Sequence, residues 1–216
     1  MHHALQTTDA VIFDFDGVLA DSEPLHMRAI ASVAATRGWS VSHEQFMRMI
    51  GKGDPHAFEL LATANGKPVI ATEIASMVEC KTELCMEGIA AGDFTIQPGA
   101  AELVRATSAR GPTGVCSGSR RTFVEGMLTR MGLLALLQTV VGHEDVTHTK
   151  PDPEPYLLAA KRLQVLPSRC IVIEDSPTGI RSAKAAGMHV IAVGHSFARE
   201  HLTEADEYVE RIAELL

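Results

Sequence analysis

The chain carries two carboxylates at positions i and i+2 directly past an apolar run, in Val11-Ile12-Phe13-Asp14-Phe15-Asp16-Gly17. Like charges repel and dehydrating a carboxylate is costly, so such a pair persists where something cationic neutralises it. A second apolar run, Ile171-Val172-Ile173, ends the same way in Glu174-Asp175-Ser176-Pro177. Helix capping would account for Asp175 or Ser176, but not for the glutamate beside them. If the two runs are neighbouring parallel strands, Asp14, Asp16, Glu174 and Asp175 meet at one edge of the sheet. Oxygen ligands at this density suit Mg²⁺, which takes one or two carboxylates together with waters and a phosphate. Two other segments offer contacts for that phosphate. Cys116-Ser117-Gly118-Ser119-Arg120 presents hydroxyls and backbone amides at the opening of a helix. Lys150, in His148-Thr149-Lys150-Pro151-Asp152-Pro153, presents a point charge.

The elements that must position these groups read as a doubly wound α/β fold. Five short, continuous apolar runs predict parallel strands buried on both faces: Ala10–Phe15, Gly114–Cys116, Gln138–Gly142, Cys170–Ile173 and Val190–Val193. Helical patterns separate the later ones. Val124, Met127, Leu128 and Met131 share a face before Gly132, and Ser176-Pro177 opens a helix that Gly187 closes. From about 21 to 95 the alternation stops and only helical patterns occur. One starts at Ser22-Glu23-Pro24, one runs from Asp54-Pro55 to Asn65-Gly66, and one carries Ile74, Met77, Val78, Leu84 and Cys85 on one face. Such a block is too long for a connection between strands, so residues 21–95 are expected to form an inserted helical domain. The core is then 1–20 with 96–216, tethered through Ala20–Asp21 and Thr95–Pro98.

Composition excludes several classes. A net charge of −8 with histidines neutral argues against nucleic-acid binding, which favours lysine and arginine clusters. No apolar run nears the roughly 20 residues of a bilayer span, and residues 1–10 lack the pattern of a secretory signal. A cytoplasmic protein with four reduced cysteines, none in a CxxC pair, is the expectation. His43, His56, His143, His148, His195 and His201 show no metal-ligand spacing and read mostly as surface residues.

Together, Asp14-Phe-Asp16-Gly-Val-Leu-Ala-Asp21-Ser-Glu, Ser117, Lys150-Pro and Glu174-Asp175-Ser resemble the four ordered motifs of the haloacid dehalogenase superfamily. The branch they most resemble is the β-phosphoglucomutase-like group, with its sugar phosphatases. The match covers the predicted core, and the helical insert is similar to the family's small α-helical cap. The resemblance implies a Rossmann-like core and a Mg²⁺-dependent phosphatase acting on a small phosphorylated metabolite. It also implies roles. Asp14 is the nucleophile that becomes an aspartyl-phosphate, and Asp16 is the acid and base. Asp14 and Asp175 bind Mg²⁺ by side chain and Asp16 by its carbonyl, while Glu174 orients that shell or adds an oxygen. Ser117 and Lys150 hold the transferring group. Glu23, His26 and Lys52 are candidate cap contacts to substrate, as are Ser119 and Arg120 from the core. Asp152 departs from the pattern, standing where a small residue is common.

Two alternatives share these residues. A β-phosphoglucomutase-type mutase would return the phosphoryl group to the sugar instead of to water. A receiver-like signalling module would accept phosphate once, but such modules are shorter and have no use for an insert of this size. A monomer or weak oligomer is expected, with no membrane or nucleic-acid partner.

Overall fold

The computed structural model describes residues 1–49 and 54–216. After a short helix α1 (His3–Thr7), the first strand β1 (Ala10–Phe13) leads into a two-residue strand β2 (Ala20–Asp21). Among the described residues, four helices follow: α2 (Glu23–Ala35), α3 (His43–Met49), α4 (Asp54–Ala64) and α5 (Ala71–Ala91). The chain then returns through β3 (Thr95–Ile96) to α6 (Ala100–Ser108), β4 (Thr113–Cys116), α7 (Arg121–Arg130) and β5 (Thr139–Val141). It ends with α8 (Glu154–Leu163), β6 (Cys170–Glu174), α9 (Pro177–Ala185), β7 (His189–Val193) and β8 (Glu207–Val209). Among the described residues, no helix is long and apolar enough to cross a membrane.

Six strands form one parallel sheet in the order β5-β4-β1-β6-β7-β8. The chain leaves β1 for β4 on one side and reaches β6 on the other, so β1 lies where the winding reverses. In open α/β sheets the crevice at that point, past the carboxyl ends of the strands, is where ligands bind. The five predicted strands are all present, with ends shifted by a residue or two. The sixth, β8, was not expected: its three residues are half-buried on an edge and carry no apolar run. Side chains alternate across β1. Ala10 and Ile12 join a core with Val172, Val190, Tyr156, Leu163 and Ile180, while Val11 and Phe13 are buried on the other face.

Helix ends follow the sequence signals. The Ser176 hydroxyl caps α9 by accepting the Gly179 N–H at 3.1 Å, with Pro177 in the first turn. Gly132 and Gly187 close their helices at φ +68° and +77°. The remaining pair, β2 and β3, is antiparallel, with Ala20 opposite Ile96 and Asp21 opposite Thr95.

Contacts divide the chain into two compact units, residues 1–21 with 95–216 and residues 22–94. The second unit has its own core, in which Phe46, Phe58, Leu61, Ile74, Met77 and Val78 are buried with Ile30 and Val33 of α2. A buried ion pair also lies inside it, the Lys81 ammonium on both oxygens of Asp54 at 2.9 and 3.0 Å. Phe58 is fully buried there. Phe58→Ala is expected to cost about 3–5 kcal/mol through lost burial and the cavity left behind. Hydrogen exchange is expected to speed up in α2, α4 and α5. An equal loss of protection in β1 and β6 would show that the two units unfold as one.

Candidate active site

Asp14 follows β1 directly, and its N–H continues the ladder to Ile173 of β6 at 2.9 Å. Glu174 ends β6, and Asp175 comes next. The two acidic segments are thus neighbours, as the sequence requires, and Asp14, Glu174 and Asp175 bring ligand oxygens within 4.8 Å of one another. All three are buried. Gly17 turns the first segment away at φ +82°, and it has no room for a side chain, since a Cβ there would lie 1.8 Å from Asp175 Oδ2.

Lys150 reaches this cluster from the loop after β5. Its ammonium donates to Asp14 Oδ1 at 2.6 Å, Glu174 Oε1 at 2.8 Å and the Cys116 carbonyl at 3.1 Å. It also sits 4.8 Å above the ring of Tyr156, whose hydroxyl donates to the same Glu174 oxygen at 3.0 Å. The other Glu174 oxygen accepts the N–H groups of Asp175 and Ser176, both at 2.9 Å, and the Ser176 hydroxyl at 3.0 Å. Both Glu174 oxygens are therefore engaged by protein donors. Gly179 of α9 presses against this carboxylate so closely that a Cβ would fall 1.5 Å from Oε1. Asp152, the departure from the motif, accepts the Glu154 N–H at 2.9 Å and so helps to close the turn that carries Lys150 into α8.

Asp16, beside this cluster, is held by hydroxyls. Ser117 and Ser119 both donate to its Oδ2, at 3.1 and 2.8 Å, and the Ser119 N–H donates to the Ser117 hydroxyl at 2.9 Å. The two serines come from the loop after β4, where the Ser117 N–H extends the ladder to Val141 of β5. Arg120 is exposed beside them, and no hydrogen bond or ion pair of its side chain occurs among the described residues.

The electrostatics follow from burial. Asp14 is pushed well above the usual carboxylate range by dehydration, opposed by Lys150 and reinforced by Glu174, Asp175 and Asp16. Asp175 is pushed up to about 7 by burial and by Glu174. Burial acts on Glu174 too, but Lys150 and the Ser176 donors outweigh it and hold the group below its usual range. Burial works against the Lys150 ammonium, yet Asp14 and Glu174 keep it protonated to well above its ordinary value. Burial pushes the Cys116 thiol up to about 12, so it remains an inert strand residue. Two of the three carboxylates pair with the Lys150 ammonium, and no second cation joins the cluster among the described residues, which leaves it short of positive charge there.

Of the predicted site residues, Asp14, Asp16, Ser117, Ser119, Lys150, Glu174 and Asp175 are brought together. Glu23 is the exposed first residue of α2, and half-buried His26 has its Nδ1 at 3.5 Å from Cys85 Sγ within the helical unit. Lys52 lies outside the described residues. Tyr156, His195 and Ser196 were not anticipated. Ser196 donates to Asp175 Oδ2 in a short hydrogen bond. His195, read from sequence as a surface histidine, is half-buried and bonded to the Gly17 carbonyl at 2.7 Å. A further acidic group, His148, Asp152 and Glu154, lies nearer the surface, and its carboxylates accept backbone N–H groups of their own turn.

A parallel sheet with this acidic edge, a lysine and paired hydroxyls defines a hydrolase of the haloacid dehalogenase type. The chain belongs to that family: the haloacid dehalogenase-like hydrolase model matches residues 8–187. It is 33% identical over 215 residues to validoxylamine A 7'-phosphate phosphatase of Streptomyces hygroscopicus subsp. limoneus, covering 94% of each chain. The structure of CbbY from Rhodobacter sphaeroides in complex with phosphate superposes with a TM-score of 0.86 at 29% identity, covering 96% of each chain. β-Phosphoglucomutase from Clostridium difficile superposes with a TM-score of 0.82 at 26% identity, covering 97% of this chain and 93% of that one.

Proposed function

We propose that the protein is a Mg²⁺-dependent phosphatase of small phosphorylated metabolites, sugar phosphates foremost, that works through an aspartyl-phosphate on Asp14. The observation that carries this reading is the charge deficit of the buried cluster. Among the described residues, Lys150 is the one cation paired within the Asp14, Glu174 and Asp175 cluster, and it contacts Asp14 and Glu174. Asp14 Oδ2 and Asp175 Oδ1 accept no hydrogen bond among the described residues, whereas their partner oxygens are held by Lys150 and Ser196. Two unclaimed carboxylate oxygens at one sheet edge fit a small divalent cation. Asp14, Asp175 and the Asp16 carbonyl would hold it, and bound there it would offset charge on the transferring phosphoryl group. Glu174, with both oxygens engaged, takes the orienting role: it holds Lys150 and the start of α9 in place.

The steps of this chain's own residues follow. The Asp14 carboxylate attacks phosphorus, forming a P–O bond to Asp14 as the bond to the leaving oxygen breaks. Asp16, in its acid form, gives its proton to that oxygen. The Asp16 carboxylate then removes a proton from water as the water oxygen attacks phosphorus, which releases phosphate and restores Asp14. Ser117 and Ser119 keep Asp16 aimed, and the remaining donor capacity of this loop suits phosphoryl oxygens. Lys150 offsets charge on Asp14 throughout, since positioning and neutralisation supply most of the catalysis of this reaction. Residues 22–94 are assigned as the cap, with substrate choice as its role.

Phosphate release from a panel of phosphorylated sugars, sugar acids and nucleotides tests the reading. Activity is expected to vanish in EDTA and to return with Mg²⁺; full activity in EDTA would overturn the proposal. Likeness to a β-phosphoglucomutase supports a second reading, in which a bound sugar bisphosphate returns the phosphoryl group. Incubation with β-glucose 1-phosphate and a trace of bisphosphate separates them. Free phosphate marks the phosphatase, and glucose 6-phosphate the mutase.

A further inference from the structure

We propose that His195 and Ser196, on the loop after β7, form a clamp that positions the cation-binding oxygens of Asp175 and of the Asp16–Gly17 turn. This inference rests on the functional reading above and adds two positioning residues to it. Ser196 donates to Asp175 Oδ2, which fixes the rotation of that carboxylate and leaves Oδ1 as its one oxygen without a hydrogen bond among the described residues. His195 acts on the other segment. The Ile212 N–H donates to Nε2 at 3.2 Å, so that nitrogen must accept and the ring proton must sit on Nδ1. Nδ1–H then donates to the Gly17 carbonyl at 2.7 Å.

The two arms meet at Gly17. A Cβ on Gly17 would lie 1.8 Å from Asp175 Oδ2 and 2.5 Å from Ser196 Oγ, so backbone, carboxylate and hydroxyl are already in mutual contact. The Gly17 N–H is held by the Ala20 carbonyl at 2.7 Å, and the Gly17 carbonyl by His195. Both peptide planes flanking Gly17 are therefore pinned, including the plane that carries the Asp16 carbonyl. The clamp is itself anchored to the sheet. Gly194, just before it, donates its N–H to Val209 of β8 at 3.1 Å, and Tyr208 packs so close that a Cβ on Gly194 would fall 2.2 Å from its hydroxyl. Ser196 is exposed, so its hydroxyl contributes little to the core, and its effect should fall on the carboxylate it touches.

The test is Mn²⁺ titration of the whole protein, followed by electron paramagnetic resonance, with thermal unfolding of the metal-free form as a check on folding. Ser196→Ala is expected to weaken Mn²⁺ binding by about tenfold or more, the usual consequence of losing a partner of a metal-binding carboxylate. Ser196→Thr, which keeps the hydroxyl, is expected to restore most of it, and the metal-free unfolding midpoint should stay near that of the parent. The second arm is read the same way. His195→Asn, which keeps a donor near Nδ1, should bind Mn²⁺ more tightly than His195→Ala. Parent-like Mn²⁺ affinity in Ser196→Ala and His195→Ala, beside a parent protein that binds Mn²⁺ and releases phosphate, would overturn the clamp alone. A parent protein that binds no divalent ion would overturn both the clamp and the functional reading.

Discussion

Asp14→Asn is expected to lower phosphate release by roughly 10⁴-fold or more, as loss of a catalytic nucleophile does in other hydrolases, while the protein keeps its fold. The amide has the shape of the carboxylate, so packing past β1 is preserved. Its neutrality relieves the repulsion that Glu174, Asp175 and Asp16 exert on a charge at this position. Lys150 loses the charge of its partner at 2.6 Å but retains Glu174 at 2.8 Å and the Cys116 carbonyl at 3.1 Å, so it is not stranded. Hydrolysis of p-nitrophenyl phosphate with Mg²⁺, measured beside circular dichroism and thermal unfolding, checks both halves. A folded variant with near-parental turnover would refute Asp14 as the nucleophile. A parent protein that is phosphorylated once, without turnover, would instead point to a phospho-accepting module.

Glu174→Gln should have the opposite profile, with a large loss of stability from a change that preserves volume. Five donors converge on this carboxylate: Lys150 and Tyr156 on one oxygen, and the Asp175 and Ser176 N–H groups with the Ser176 hydroxyl on the other. A glutamine must turn its NH₂ towards one of these sets, so donors would face donors whichever way it is flipped. The residue is fully buried, and α9 leaves it no space to move, given the contact at Gly179. Breaking a buried ion pair on one side costs about 3–5 kcal/mol. In a chain of this size that corresponds to a fall of roughly 10 °C in the unfolding midpoint. Urea and thermal unfolding of the two proteins decide it, and coincident transitions would mean that these hydrogen bonds contribute nothing net. Activity should fall as well, because Lys150 loses the negative charge of the group that holds it at 2.8 Å.

The strands bearing Asp14 and Asp175 were legible because both are continuous apolar runs that end abruptly in acid, a pattern with few bland explanations. In residues 22–94, helices α2, α4 and α5 were legible from period and punctuation, with α2 and α4 beginning within a residue of Ser22 and Asp54, whereas the seven-residue α3 was not anticipated. What sequence could not supply falls into two kinds. Strands β2, β3 and β8 run to two or three residues, too short for any periodicity to register. Tyr156, His195 and Ser196 act through partners far along the chain, at separations of 18 positions from 156 to 174 and 178 from 17 to 195. Tyr156 reads as an ordinary core aromatic of an amphipathic helix, and only its hydroxyl contact with Glu174 marks it. For His195 and Ser196 the one available hint was position, just beyond a buried strand predicted to end at the same edge of the sheet as the acids.

The pairing of Ala20 with Ile96 and of Asp21 with Thr95 means that the polypeptide departs for residues 22–94 and comes back through a doorway two residues wide. To the sheet, everything between is one closed loop, and closure entropy grows only logarithmically with length. Doubling the excursion would cost about 0.6 kcal/mol more. A scaffold wired this way can trade the contents of the loop, long for short or one helical bundle for another, and leave Asp14 and Asp16 standing where they are.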